Sequence, residues 1–279
     1  MPFFVVTKVR VTPFVYPHSC NRGKNLDLVS DNYWRNWKKA VSLHRQKNTK
    51  TMTKDNDIRN AKAVVFDLDG TLLDTLEDLA ASTNHALRAI GFPERTIDEV
   101  RRFVGNGVGR LIDRAMPEDA GADERQECLR LFKLHYVAHC RDHTRPYPGV
   151  LQMLRTLRSR GLLLAIVSNK LQQGVDELHA TYFGGLVDVA IGERPGVGRK
   201  PAPDMLYLAL ERLGVSPGQA VYVGDSEVDI ETAANASVPC ISVTWGFRSR
   251  ELLAGQGAMV LADSPDEVAG LVNASEKQA

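Results

Sequence analysis

The chain has 279 residues, 43% of them apolar and 25% charged, and a formal net charge of +1. That balance suits a soluble globular body with an ample core, and no run of about 18 apolar residues offers a membrane span. Cys20, Cys128, Cys140 and Cys240 stand far apart with no C-x-x-C pair, which argues against a disulfide framework and fits a reducing, cytoplasmic setting. Charge is uneven along the chain. Residues 1–51 hold ten Lys/Arg against two Asp/Glu, leaving 25 against 32 beyond them, a net of −7. An acidic body argues against nucleic acid as its main partner.

Residues 1–58 read as a basic extension distinct from the rest. "MPFFVVTKVRVTPFVYP" lacks the length and cleavage pattern of a signal peptide, and "NYWRNWKKAVSLHRQKNTK" is basic with two tryptophans. The favoured reading is a translation start at Met52, since "MTKDNDIRNAKAVVFDLDG" leads directly into a strand; a disordered tail and a functional arm are the alternatives.

Strands and helices then alternate. "AKAVVFD" is a short valine-rich run with the look of a buried strand, followed in order by "GLLLAIVSN", the weaker "LVDVAIG", "AVYVGDS" and "VPCISVTWG". Between them, "GVLQMLRTLRSRG" puts Val150, Leu151, Leu154 and Leu157 on one helical face and stops at Gly161. "PDMLYLALERLG" does the same with Leu206, Ala209, Leu210 and Leu213 before Gly214. Continuous apolar strands separated by amphipathic helices imply an α/β fold, a parallel sheet with helices on both faces. Residues 77–145 break the alternation with helical patterns only. Leu79, Ala80, Thr83, Leu87 and Ile90 form one stripe, Thr96 and Glu99 form a capping box, and a long helix starts from a cap at Asp123. An all-helical module is thus inserted after the first strand, with "RPYPGV" as the return hinge. Its long helix carries His135, His139 and His143 four apart; an ordinary helix face outweighs a zinc site there, because no acidic partner is evident.

The chemistry-bearing residues sit where strands end. Asp67 and Asp69 follow the first strand, Ser168, Asn169 and Lys170 the second, and Asp225, Ser226 and Asp229 that of "AVYVGDS". Open α/β sheets bind ligands just beyond the carboxyl ends of their strands, so these segments converge on one crevice. Lys200, in "GRKPAPD", joins them. Clustered carboxylates repel one another unless a cation is present, and hard oxygen donors suit Mg²⁺. Ser168 and Lys200 are donors for phosphoryl oxygens, and Gly70 and Thr71 let backbone N–H groups approach an anion. A carboxylate nucleophile, a metal, a lysine and a hydroxyl make a phosphoryl-transfer site. Trp245 and Phe247 read as packing near the sheet edge.

With "DLDGTLLDT", "VSNK", the lysine of "RKPAPD" and "GDSEVD" in this order, the chain from about residue 62 onward resembles the haloacid dehalogenase superfamily. Within it, "VGNGVGRLIDRAM" and "YVGDSEVDIETAANA" look most like phosphoglycolate phosphatases; Ser237 departs from the glycine usual there. The resemblance implies a Rossmann-like core over 59–76 and 147–279 and a small helical cap over 77–146. It implies Asp67 as nucleophile forming an aspartyl-phosphate, and Asp69 as general acid and then base. Mg²⁺ would be held by Asp67, the backbone carbonyl of Asp69 and Asp225, with Asp229 supporting that shell. Thr71, Ser168, Asn169 and Lys200 would bind the phosphoryl group, Lys200 also offsetting the carboxylates. The cap loop suggests Asn106 and Arg110 as readers of the substrate, Arg110 for a carboxylate. The expected activity is hydrolysis of a small phosphorylated metabolite, 2-phosphoglycolate first, by a monomer or homodimer. Pyrophosphate, sugar phosphates, a sugar-phosphate mutase and a non-catalytic binding protein are the alternatives.

Overall fold

The computed structural model describes residues 58–272; the basic head and the Met52 start lie outside them. In chain order the elements are β1 (Ala63–Phe66), β2 (Leu73–Asp74), α1 (Leu76–Ala89), α2 (Ile97–Phe103), α3 (Gly107–Ala115), α4 (Ala122–His139) and β3 (Arg145–Pro146). There follow α5 (Val150–Ser159), β4 (Leu163–Leu171), α6 (Gln172–Leu178), β5 (Val189–Glu193), α7 (Asp204–Leu213) and β6 (Ala220–Gly224). The last are α8 (Glu227–Ala236), β7 (Cys240–Val243), α9 (Arg250–Gly255), β8 (Leu261–Ala262) and α10 (Pro265–Leu271).

Six strands form one parallel sheet in the order β5-β4-β1-β6-β7-β8. All five strands expected from the apolar runs are present. The sixth, β8, is two residues long and too short to leave a periodic signal. β1 is central and wholly buried, and its alternate residues face two different cores. Val64 and Phe66 pack with Leu154, Leu164 and Val268, whereas Ala63 and Val65 pack with Met205, Leu206 and Ala209. A fully buried side chain of this size contributes about 1.5–3 kcal/mol, so both helical layers hold the sheet. This is a Rossmann-like α/β core. The chain leaves β1 for β4 on one side and later reaches β6 on the other, which opens a crevice at their carboxyl ends.

Helices α1 to α4 fill the stretch between β2 and β3 and close around a core of their own, with Leu87, Leu111, Ile112, Cys128 and Phe132 at its centre. The capping box of Thr96 and Glu99 forms as expected at α2. The expected cap at Asp123 is displaced: Gly121 is the N-cap of α4, and its N–H donates to Glu124 at 2.7 Å. Outgoing β2 and returning β3 pair as a two-stranded antiparallel ribbon, Leu73 opposite Pro146. Buried Asp78, in the first turn of α1, accepts from the N–H groups of His143 and Thr144 at 2.9 Å each and ties the two linkers together. α4 ends at His139, so His143 leaves the histidine stripe and lies 3.5 Å from Glu77. Ser237 ends α8 in the left-handed region, φ 57°, which is the backbone reason for glycine at such a position. Among the described residues no helix is long and apolar enough to cross a membrane.

Candidate active site

β1 delivers Asp67 to the floor of the crevice. Its carboxylate Oδ1 accepts from the N–H of Leu68 at 2.7 Å and pairs with Lys200 Nζ at 2.8 Å. Its Oδ2 carries no hydrogen bond among the described residues, and Asp67 lines the crevice. Lys200 is buried and sits between carboxylates, with its Nζ also 2.8 Å from Asp229 Oδ1 and 3.2 Å from the Tyr222 hydroxyl. Burial alone would lower the lysine; the charges of Asp229 and Asp67 outweigh that and keep it firmly protonated.

Asp229 itself is fully engaged. Its other oxygen caps α8, accepting from the N–H and hydroxyl of Ser226 at 3.1 and 2.6 Å. Asp225, at the end of β6, accepts from the Thr71 hydroxyl at 3.1 Å and the N–H of Phe247 at 2.8 Å. Ligand atoms of Asp67, Asp225 and Asp229 lie within 4.8 Å of one another. Burial, joined by the neighbouring Asp229 charge, lifts Asp225 to about 7. Burial also raises Asp67 well above the carboxylate range; Lys200 opposes this, and Asp229 and Asp225 add to it. Lys200 pairs with two of the three buried carboxylates and leaves Asp225 without a cation in contact among the described residues, so the cluster is short of positive charge. Its oxygen donors fit a hard divalent cation such as Mg²⁺. Two glycines keep the place tight. A Cβ on Gly70, φ 88°, would strike the Asp225 carboxylate, and one on Gly246 would strike the carbonyl of Gly70 as well.

Asp69 points across the crevice, its Oδ1 2.8 Å from Lys170 Nζ and its Oδ2 3.5 Å from the Ser168 hydroxyl. Ser168 lines the crevice, as a donor to an anion must. The Thr71 side chain is wholly buried and donates to Asp225, and Thr71 is not among the crevice walls. Asn169 lines the crevice, and its side-chain amide exchanges two hydrogen bonds with the backbone of Lys200, at 2.9 and 3.1 Å, and so sets the Lys200 loop.

The two expected cap readers, Arg110 and Asn106, stand outside the crevice walls. α3 turns Leu111, Ile112 and Ala115 inward and puts Val108 in the crevice wall. Arg110, two residues from Val108, therefore faces outward; its side chain is 68% exposed and 3.9 Å from Asp113. Asn106 is the N-cap of α3 and half-buried, outside the crevice walls, while its neighbours Gly105 and Gly107 line them. The cap side of the crevice is largely apolar, made by Leu79, Val104, Val108 and Leu111.

The roles of three lining residues are not legible in the sequence: Phe247 reads as sheet-edge packing, Lys170 as one more residue at a strand end, and Arg248 is not singled out. Phe247 is no sheet-edge residue: it joins the cap core, walls the crevice and donates its N–H to Asp225. Arg248 is buried, chelates Glu227 at 2.8 and 3.2 Å, and donates to the Arg101 and Val104 carbonyls at the end of α2, at 3.0 and 2.7 Å. Lys170 holds Asp69. All three act through partners distant in sequence, and only the aromatic-basic run "WGFR" marked two of them.

This geometry is shared. Residues 64–243 match the family model of the haloacid dehalogenase-like hydrolases. A phosphoglycolate phosphatase from Aquifex aeolicus is 33% identical over 187 residues, which cover 67% of this chain and 86% of the relative. One from Pseudomonas putida is 35% identical over 213 residues, 74% of this chain and 75% of the relative. The crystal structure of a Lactobacillus delbrueckii subsp. bulgaricus protein, 36% identical, superposes with a TM-score of 0.74 over 76% of this chain and 98% of that one. The chain belongs to the haloacid dehalogenase-like hydrolases.

Proposed function

We propose that this hydrolase is a Mg²⁺-dependent phosphatase acting on a small phosphomonoester, 2-phosphoglycolate first, through an aspartyl-phosphate on Asp67. The observation that carries the reading is the pairing of Asp67, a residue that lines the crevice: Lys200 and Leu68 pin its Oδ1, and its Oδ2 carries no hydrogen bond among the described residues. In the proposed reaction Asp67 Oδ2 attacks phosphorus while the ester oxygen departs with a proton from Asp69. Water then attacks the acyl phosphate, giving its proton to Asp69, and inorganic phosphate leaves. Ser168 and Lys200 donate to the phosphoryl oxygens, and Lys200 screens Asp67 from Asp229. Asp67, Asp225 and the Asp69 carbonyl would hold Mg²⁺, which would neutralise phosphoryl charge; Asp229, engaged on both oxygens, would support them. The cysteines Cys128, Cys140 and Cys240 are free, in keeping with a cytoplasmic setting.

The names of the Aquifex and Pseudomonas relatives support 2-phosphoglycolate as the substrate. The test is turnover of 2-phosphoglycolate, pyrophosphate and sugar phosphates with Mg²⁺ or EDTA, with borohydride trapping of the intermediate. The expected result is Mg²⁺-dependent turnover led by 2-phosphoglycolate, a reduced residue at position 67, and no turnover in Asp67→Asn. Inversion of configuration at a chiral phosphorus would replace the covalent route by direct attack of water.

A further inference from the structure

Lys170 is a buried lysine that the proposed reaction does not use. Its side chain is 6% exposed. Its Nζ lies 2.8 Å from Asp69 Oδ1 and 2.5 Å from the hydroxyl of Tyr136, and 4.6 Å above the centre of the same ring. The methylene stem runs over Gly174, within 3.5 Å of where a Cβ there would stand. Burying an ammonium costs several kcal/mol unless its partners are well placed, so an idle core position would hold an apolar residue instead. The partners come from both modules. Asp69 belongs to the core, whereas Tyr136 projects from α4, stacked on Phe132 within the cap. Ser168, the other neighbour of the Asp69 carboxylate, is 3.5 Å away and too distant to hold it. The orientation of Asp69 therefore rests on Lys170, and that of Lys170 rests in part on the cap.

We propose that Lys170 is a positioning residue for Asp69, and that Tyr136 makes this positioning conditional on the cap lying against the core. The inference rests on the reading of Asp69 as general acid and base. A carboxylate that hands a proton to a leaving oxygen needs its free oxygen aimed across the phosphorus. Lys170 takes Oδ1 and leaves Oδ2 to do so. With the cap lifted, Tyr136 withdraws, the lysine loses one of its two contacts, and Asp69 is released from that alignment. Proton transfer is thereby confined to the state in which the cap covers the crevice.

The test compares Asp69→Asn, Lys170→Met, Tyr136→Phe and the Asp69→Asn/Lys170→Met double variant. Substrates are 2-phosphoglycolate and phenyl phosphate, which have poor leaving groups, and p-nitrophenyl phosphate, whose leaving group needs little protonation. Lys170→Met is expected to lose on the order of 10²-fold in kcat on the poor leaving groups and under about tenfold on p-nitrophenyl phosphate, the pattern of a lost general acid. On the Asp69→Asn background it should add less than about threefold, because residues that act as a unit are not additive. Tyr136→Phe keeps the ring and should show the same bias at about three- to tenfold, with KM held within about twofold. Equal losses on all substrates in Lys170→Met, or losses that multiply in the double variant, overturn the positioning role. Wild-type behaviour of Tyr136→Phe overturns the role of the cap. If Asp69→Asn itself shows no leaving-group bias, the general-acid reading fails and this inference with it, a failure visible in that variant alone. Should Lys170→Met not fold, Lys170→Arg and Tyr136→Phe carry the same comparison.

Discussion

Removing Mg²⁺ should make the stability of this protein fall as the pH rises, and Asp225 is the residue to follow. It is 1% exposed, and burial, with the Asp229 charge beside it, lifts it to about 7 when no metal is bound. In an unfolded chain the same carboxyl titrates near 3.9. Below about pH 4 it is protonated in both states and folding bears no cost. As the pH climbs from about 4 to 7 the unfolded chain gives up its proton and the folded protein retains it, so stability is lost; above about 7 the loss levels off. Three pH units of displacement correspond to about 4 kcal/mol in all, more than half of it between pH 5 and 8. For a body of this size, at about 2–4 °C per kcal/mol, that is a fall of about 5–10 °C in Tm. A cation stands in for the proton, and Mg²⁺ at about one hundred times its Kd restores about 2.7 kcal/mol. Thermal unfolding followed by circular dichroism, from pH 5 to 8, with EDTA or Mg²⁺, on the wild type and Asp225→Asn, reads this directly. Subtracting the variant removes the titrating groups away from Asp225, among them His135, which burial and its neighbours His85 and His139 depress and whose effect runs the opposite way; Asp67, which the Asp225 charge also raises, adds to the difference in the same direction. A wild-type-minus-variant Tm difference that stays flat from pH 5 to 8 in EDTA would refute the reasoning.

The remaining predictions are local. Gly246→Ala drives a methyl group against the Gly70 carbonyl and the Asp225 side chain, backbone that cannot retreat; kcat should drop by at least about 10²-fold with weakened Mg²⁺ binding by calorimetry. Arg110→Ala should leave kcat/KM within about twofold on 2-phosphoglycolate and p-nitrophenyl phosphate alike, since an exposed arginine near Asp113 contributes little. Ser237→Gly should raise Tm by about 1–3 °C with kinetics unchanged, because relief of a left-handed side chain, worth about 1–2 kcal/mol, exceeds the about 0.4–1 kcal/mol that glycine's freer unfolded chain costs.

Much of this molecule is written locally. Valine-rich runs such as "AVVF" form strands because their branched side chains fill a sheet covered on both faces. Thr96 and Glu99 cap a helix because their spacing lets each satisfy the other's backbone. Asp67, Ser168, Lys200 and Asp225 were legible as one site because each lies in its own short motif, Asp67 and Asp225 just past the ends of β1 and β6 and Ser168 just past the regular pairing of β4 with β5, and parallel strands bring such ends together. The placements that the sequence did not disclose share a cause. Arg110 carries the charge expected of a substrate reader, but helical period tells which residues share a face and not which face meets the core; the burial of Leu111 and Ile112 turned Arg110 away. Thr71 and Asn169 are polar residues in the right loops whose hydrogen bonds go to Asp225 and to the Lys200 backbone, partners 154 and 31 residues off. Lys170 with Tyr136, and Arg248 with the end of α2, join core to cap across 34 and 144 to 147 positions. The sequence by itself determined the strands, the helix stripes and the inventory of reacting groups, since these depend on period, capping and side-chain chemistry within a few residues. Only the tertiary structure decided which polar groups face the crevice and which brace it, because that choice is made by packing between segments whose separation along the chain carries no signal.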